Sequence, residues 1–223
     1  MNLTTLRGDI GFWDRFAPWY EKWLSRGTYH QPIIREVTHV IEPGWRVLDI
    51  GAATGVLSLP MAAMGCFVEA IEPSEGMRRF FRERISTFRV DVEIIPDRWE
   101  TYQPVSATPP DLIVACNSLH LTEGGMMQGM QKVFSIGAGC VCLVTEINQD
   151  LFIDFREIHA LQDTYEFQFI RKATVDSSFC FDDMDEAMDL SELLRKRVQV
   201  TSEEGSMVQR DRTDVAVVLW ERK

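Results

Sequence analysis

The order of apolar patterns between residues 45 and 147 constrains this chain more than any other feature. Short continuous apolar runs of strand length recur there: "WRVLDI" (45–50), "FVEAIE" (67–72), "VDVEII" (90–95), "DLIVAC" (111–116) and "GCVCLVTEI" (139–147). Between them lie longer runs of helical period. These are "GVLSLPMAAMG" (55–65), ended by Gly65, "SEGMRRFFRERISTF" (74–88), opened by Ser74 as N-cap, and a stretch near 124–136. Pro60 removes one backbone bond early in the first of these and is expected to bend it slightly. Alternating strand and helix implies a mainly parallel sheet covered on both faces. "FQFIRKATV" (167–175) and "TDVAVVLWER" (213–222) add two strands. The expected fold is therefore α/β, doubly wound, with a seven-stranded, mainly parallel sheet and helices on both faces.

Outside this alternation the patterns are of other kinds. "FWDRFAPWYEKWL" places Phe12, Trp13, Phe16, Trp19, Tyr20, Trp23 and Leu24 at helical spacing, interrupted by Pro18. Ile33, Ile34, Val37, Val40 and Ile41 mark a second helix, stopped by "EPG" at 42–44. After Asn148 the order is less regular. "DLFIDFREIHALQDTY" (150–165) reads as helix, "DDMDEAMDLSELLRKRV" (182–198) as an acidic-to-basic helix, and "TSEEGSMVQRDR" (201–212) as a polar surface connection. A stripe of large aromatics must cover something apolar, and the segment before residue 31 is additional to the alternating core. It is expected to form an N-terminal helical cap that acts as a lid over the crevice.

With 223 residues and 45% hydrophobic content, the chain can bury one sizeable core. No run of apolar residues is long enough to span a membrane, and the N-terminus lacks a basic start followed by an apolar block. Cys66, Cys116, Cys140, Cys142 and Cys180 form no CxxC pair and no His/Cys cluster. They read as buried, reduced thiols, which suits a cytoplasmic location. A net charge of −11 with scattered Lys and Arg disfavours nucleic acid and anionic lipid as partners. A small-molecule partner is expected, with the chain a monomer or homodimer. No metal site is visible in the spacing of carboxylates and histidines.

"LDIGAATG" (48–55) joins the first strand to the helix that follows. In a doubly wound sheet this turn lies at the crevice beyond the carboxyl ends of the strands. Gly51 suits a backbone that must come close to a ligand. A dinucleotide fingerprint would need glycines at offsets zero, two and five, but those positions hold Gly51, Ala53 and Val56. A pyrophosphate would also bring negative charge near Asp49, whereas a cation is welcome there. Glu72 ends the second strand, and its two oxygens can accept both hydroxyls of a ribose. The two acids together describe a ligand with a ribose and a positively charged tail, which S-adenosylmethionine has.

"VLDIGAATGVLSLPMAAMG", "VEAIEPSEGM" and "DLIVACNSLHL", in that order, resemble the class I S-adenosylmethionine-dependent methyltransferases. The resemblance runs over residues 33–146, and "FWDRFAPWYEKW" is similar to the family's N-terminal cap. Ala53 stands where the family usually has a second glycine. The resemblance implies one domain over residues 1–223: a cap or lid at 1–30, a cofactor-binding core at 33–147, and a part at 148–223 that completes the sheet and the substrate pocket. It implies that the 49–55 loop, with Asp49, Gly51, Ala52 and Gly55, holds the methionine part, and that Glu72 and Pro73 meet the ribose. Beside adenine it implies an acidic or polar pair after the third strand, which "IIPDRWE" supplies as Asp97 or Arg98, with Trp99 near the ring face.

Asn117, just past the fourth strand, reads either as a ligand contact or as a turn residue. Where the nucleobase-methylating branch carries Asn/Asp-Pro-Pro-aromatic, this chain has "NSLH", which counts against that substrate class. His120 on the same loop is the candidate general base, its alternative being a packing histidine, and His30 is a second candidate. Tyr20 or Tyr29 could offer a hydroxyl to the methionine carboxylate. The expected activity is methyl transfer from S-adenosylmethionine to a small-molecule acceptor by in-line displacement, for which alignment matters most. A cofactor-binding module without turnover and a nicotinamide oxidoreductase are the alternatives.

Overall fold

The structure, a computed structural model, describes residues 8–147, 154–203 and 206–223. Its first helix, α1 (Ile10–Arg26), is capped by Asp9, whose carboxylate accepts the Phe12 N–H at 2.9 Å. The helix runs unbroken through Pro18. Proline has no N–H for the Asp14 carbonyl four residues back. That carbonyl lies where α1 meets another helix: a Cβ on Gly76 would come within 2.6 Å of it. Helix α2 (His30–Thr38) follows and packs Ile33 and Val37 into the core.

Five strands then alternate with helices: β1 (Arg46–Ile50), α3 (Ser58–Ala63), β2 (Phe67–Ile71), α4 (Glu75–Phe88), β3 (Val92–Ile95), β4 (Leu112–Cys116), a 3₁₀ turn (Leu119–Leu121), α5 (Gly125–Ile136) and β5 (Cys140–Glu146). Ser74 is the N-cap of α4, accepting the Met77 N–H at 3.1 Å. Pro60 sits in the first turn of α3, where a missing N–H costs nothing, so no bend is needed. The chain continues through α6 (Phe155–His159), β6 (Tyr165–Asp176), β7 (Phe179–Phe181), α7 (Met184–Leu194), β8 (Thr201–Glu203), β9 (Ser206–Gln209) and β10 (Arg212–Arg222).

The main sheet has seven strands in the order β3-β2-β1-β4-β5-β10-β6, as expected for a doubly wound fold. Strands β1 to β5 are parallel, and β10 is antiparallel to both of its neighbours. Alternate residues serve opposite faces. Val114, Val144 and Val217 enter one core layer, while Ile113, Leu143 and Val218 enter the other. Both faces are buried, which is why the strands read as continuous apolar runs. Cys142 lies in the first layer, and all five cysteines are free thiols.

The C-terminal third departs from the expected pattern. Within 150–165 only Phe155–His159 is helical and β6 begins at Tyr165; residues 148–153 lie outside the described ones. The 182–198 helix is shorter than its charge pattern suggested. It ends at Leu194 because Arg195 turns into the left-handed region at φ 50°. The 201–212 stretch is not a plain connection: β8 and β9 pair as a hairpin and β9 pairs with β7 to make a second, three-stranded sheet. Alternation across a short edge hairpin is too brief to stand out among polar residues. This small sheet and α7 are inserted between β6 and β10. Phe179, Phe181 and Leu190 pack there with Phe16 and Trp19 of α1, forming a third apolar cluster.

Candidate functional site

The strand register brings the site together. Ile50 pairs with Ile71 and Ala115, Ile71 pairs with Ile95, and Cys116 pairs with Val144. The residues just beyond these pairs therefore form one rim along the carboxyl edge of the sheet. Strand order reverses between β1 and β4, which is where open α/β sheets bind ligands. A cavity of about 400 Å³ opens there, floored by the rim and roofed by α1 and the inserted β7–α7 unit.

The glycine turn is held from within. The N–H groups of Gly51 and Ala52 donate to the Ile71 carbonyl at 2.8 and 3.0 Å, and that of Gly55 to the Ala52 carbonyl at 2.8 Å. The Ala53 N–H donates to Glu72 Oε2 at 2.8 Å. A phosphate cradle needs such groups turned outward and unpaired, so this turn does not form one. Its glycines also answer to packing. A Cβ on Gly51 would lie 2.4 Å from the Ser118 Cβ, and one on Gly55 would lie 2.1 Å from the Phe81 ring. Gly51 lines the cavity, and close approach of the β4 loop adds a second reason for a glycine there. Ala53 takes φ 51°, a left-handed conformation that costs a residue with a Cβ roughly 1–2 kcal/mol. The bond to Glu72 holds it there.

Glu72 lines the cavity and is buried. Besides Ala53, its carboxylate accepts the Ser74 N–H through Oε1 at 2.7 Å. It thus clamps the β1 loop to the start of α4, a structural role not apparent from its position at a strand end. Burial pushes its carboxyl up to about 7. Asp49 lies beneath the loop with Ala52 and Gly55, off the cavity wall. It accepts the Ser58 hydroxyl at 2.6 Å, and burial pushes it up to about 6. Once ionised, two such buried acids are stabilised by a cation nearby and destabilised by an anion.

Pro73, Arg98, Trp99, Asn117 and His120 all line the cavity, as do Tyr20, Tyr29 and His30. Asp97 is exposed and outside it, so of the ambiguous pair only Arg98 faces inward. The Arg98 guanidinium reaches Glu123 at 2.9 Å and the Gly8 carbonyl at 3.2 Å, tying the start of the cap to the rim. Trp99 stacks on Tyr102 with centroids 6.0 Å apart and donates its indole N–H to the Gly129 carbonyl at 3.3 Å. His120 is buried on the 3₁₀ turn. The next residue, Leu121, accepts the Gly8 N–H through its carbonyl at 2.9 Å. Among the described residues, no three His, Cys, Asp or Glu side chains are grouped to hold a metal.

One group was missed in the sequence. Glu146 ends β5 on the same rim, and its carboxylate accepts the Tyr29 hydroxyl at 2.9 Å. Tyr29 in turn accepts the Asn117 amide N–H at 2.8 Å, while Asn117 Oδ1 accepts the Glu146 N–H at 2.9 Å. The signal was present: an acid closing a strand, as in Glu72. Asn117 adopts φ 50°, which asparagine tolerates better than most residues. His30 is buried beside Tyr20, Trp23 and Tyr29, and desolvation, with Arg84 nearby, lowers its imidazole to about 3. It is neutral at working pH.

A family model described as a methyltransferase domain matches residues 47–136. No curated protein sequence matches the chain. Solved structures share its fold at low identity. Magnesium protoporphyrin IX methyltransferase from Synechocystis, solved with bound S-adenosylmethionine, is 12% identical at a TM-score of 0.58, over 88% of this chain and 81% of that one. TehB from Haemophilus influenzae is 15% identical at a TM-score of 0.59, over 86% of this chain, which spans 62% of TehB. A provisionally named RNA methyltransferase from Pyrococcus horikoshii is 12% identical at a TM-score of 0.54, over 81% and 76%.

Proposed function

We propose that this chain, whose residues 47–136 match a methyltransferase-domain model, is a class I S-adenosylmethionine-dependent methyltransferase that methylates a small-molecule acceptor by in-line displacement, and that residues 1–223 act as one domain. The observation that carries the cofactor reading is the glycine turn. The N–H groups of Gly51, Ala52, Ala53 and Gly55 are engaged internally, and acids stand beside and beneath the turn, an arrangement suited to a sulfonium and unsuited to a pyrophosphate. When bound, the cofactor supplies an electrophilic methyl on positively charged sulfur.

The chain's own residues then divide the work. Asp49 and the loop carrying Gly51, Ala52 and Gly55 shape the seat for the methionine part, with Tyr20 on the cavity wall to offer its hydroxyl to the carboxylate. Glu72, beside Pro73, keeps a second lone pair on each oxygen for the ribose hydroxyls. Arg98 and Trp99 border adenine, Asn117 orders the rim, and His120 stands on the wall as a base for an acceptor that must lose a proton. The cap excludes water. A net charge of −11 and a roofed cavity favour a small acceptor over nucleic acid. Free cysteines suit a cytoplasmic enzyme, monomeric or homodimeric; no helix among the described residues is long and apolar enough to cross a membrane.

Titration calorimetry tests the cofactor. S-adenosylmethionine and its demethylated product are expected to bind in the micromolar range, and NAD is not. Tight NAD binding with no response to either sulfur ligand would overturn the reading. Release of labelled methyl then separates turnover from a module that only holds the cofactor.

A further inference from the structure

The roofed end of the cavity differs from the glycine-turn end in composition. Phe16, Trp23, Phe179, Leu190 and Leu194 make its walls, drawn from α1, β7 and α7. Of the described Lys and Arg side chains only Arg98 lines the cavity, and it is already engaged by Glu123 and the Gly8 carbonyl. A carboxylate or phosphate entering here would lose water and meet no free cation among the described residues. Flat aromatic walls favour a planar apolar body.

One group at this end is incompletely used. Glu146 is held in a closed ring of hydrogen bonds with Tyr29 and Asn117, which fixes its carboxylate through Oε1. Among the described residues none donates to Oε2 and none forms an ion pair with this carboxylate. A carboxylate on a cavity wall, with one oxygen fixed and the other meeting no described donor, is free to accept from a ligand.

Resting on the methyltransferase reading above, we infer that the acceptor is a small, uncharged aromatic compound bearing an O–H or N–H, and that Glu146 Oε2, in place of the His120 named above, accepts that hydrogen. In the proton step the acceptor's O–H or N–H bond breaks and its electron pair stays on the oxygen or nitrogen, which becomes the attacking atom. The proton passes to Glu146 and leaves to water when the cavity opens, so no further reactant is needed. Burial raises this carboxyl above the ordinary glutamate value, making it a better base than an exposed one. Tyr29 and Asn117 are positioning residues that act through Glu146.

The test uses the whole chain, saturated with S-adenosylhomocysteine, and two probes of one shape: 2-naphthol and 2-naphthoate. Calorimetry is expected to give binding of 2-naphthol and at least about tenfold weaker binding of the anion, the scale of one charge-assisted contact. Glu146→Gln should weaken 2-naphthol severalfold and narrow or invert the preference, because the repelling charge is gone. A loss of packing alone would weaken both probes together. Should Glu146→Gln fail to give a cooperative melt, Tyr29→Phe decides: it frees the carboxylate and should shrink the preference. Equal binding of both probes by the parent, or an unchanged preference in the folded variant, would overturn the inference. S-adenosylhomocysteine binding is read in the same titrations, and its absence would instead remove the reading on which the inference rests.

Discussion

On the sheet side of the cavity, the N–H groups of Gly51, Ala52, Ala53 and Gly55 all meet acceptors within the protein, and Glu72 joins two loops through buried hydrogen bonds. On the opposite side, α1 is held at its far end by charges at the surface. Lys22 pairs with Asp182 and Glu186, and Arg26 pairs with Asp182, whose side chain is 60% exposed. Buried hydrogen bonds in a low-dielectric rim are costly to break, whereas exposed pairs are screened and contribute little each. One side of the cavity is thus pinned by buried hydrogen bonds, while the far end of the other is held by ion pairs to the inserted unit. That suits a site that must hold one ligand in fixed geometry and exchange another.

Four changes would break or sharpen this contrast. The largest effect is expected at Gly55. A Cβ there would meet the Phe81 ring at 2.1 Å in a backbone at φ 82°, so Gly55→Ala should cost about 3 kcal/mol of stability and abolish cofactor binding. Urea titration beside calorimetry measures both, and a stable variant that still binds would mean the floor is not rigid.

Next, Glu72→Gln should weaken S-adenosylmethionine by about 1–3 kcal/mol, the scale for losing charge-assisted hydrogen bonds. It should also loosen the β1 loop, since an amide cannot accept both the Ala53 and Ser74 N–H groups in the same way. Unchanged affinity would remove Glu72 from the ribose.

The third change is pH. Burial raises Asp49 to about 6 and Glu72 to about 7, so the folded protein binds these protons more tightly than the unfolded chain. Their contribution to stability is complete below the ordinary carboxylate range and is lost as pH rises through about 6 and then about 7. Added S-adenosylmethionine should offset the loss, because its cationic sulfur favours the ionised acids. Melting curves from pH 4.5 to 8 should therefore show the ligand-induced shift growing with pH in the parent, and growing less in Glu72→Gln. A shift independent of pH would mean that the acids do not sense the ligand.

The smallest effect is expected on the roof. Lys22→Ala should lower stability by less than about 1 kcal/mol, yet speed hydrogen exchange in α1. In the parent, exchange across residues 8–30 should slow on adding S-adenosylmethionine, more than across 36–41. Equal protection with and without ligand would make α1 static core.

The alternation of residues 45–147 was enough to place five parallel strands, because each strand is buried on both faces and so carries an uninterrupted apolar run. The rim position of Glu72 and Asn117 followed from the same reading, since a residue just past such a run stands at the carboxyl edge. The sequence alone also spoke against a pyrophosphate, through Ala53 and Asp49. Other features depended on contacts remote in the chain. Glu146 became visible only once Tyr29, 117 residues away, was seen to donate to it. Asp97 and Arg98 are adjacent, and only the tie from Arg98 to Glu123 and Gly8 decided which one turns inward. That Gly51 also has no room for a Cβ because of Ser118, 67 residues on, could not be read from the turn itself. The three-stranded sheet of β7, β8 and β9 is built from strands of three or four residues, too short for a period to emerge. Periodicity records which faces are buried, and that is a local property of each segment. Which buried face meets which, and which acid is left with an unpaired oxygen, is fixed by long-range packing that no single segment encodes.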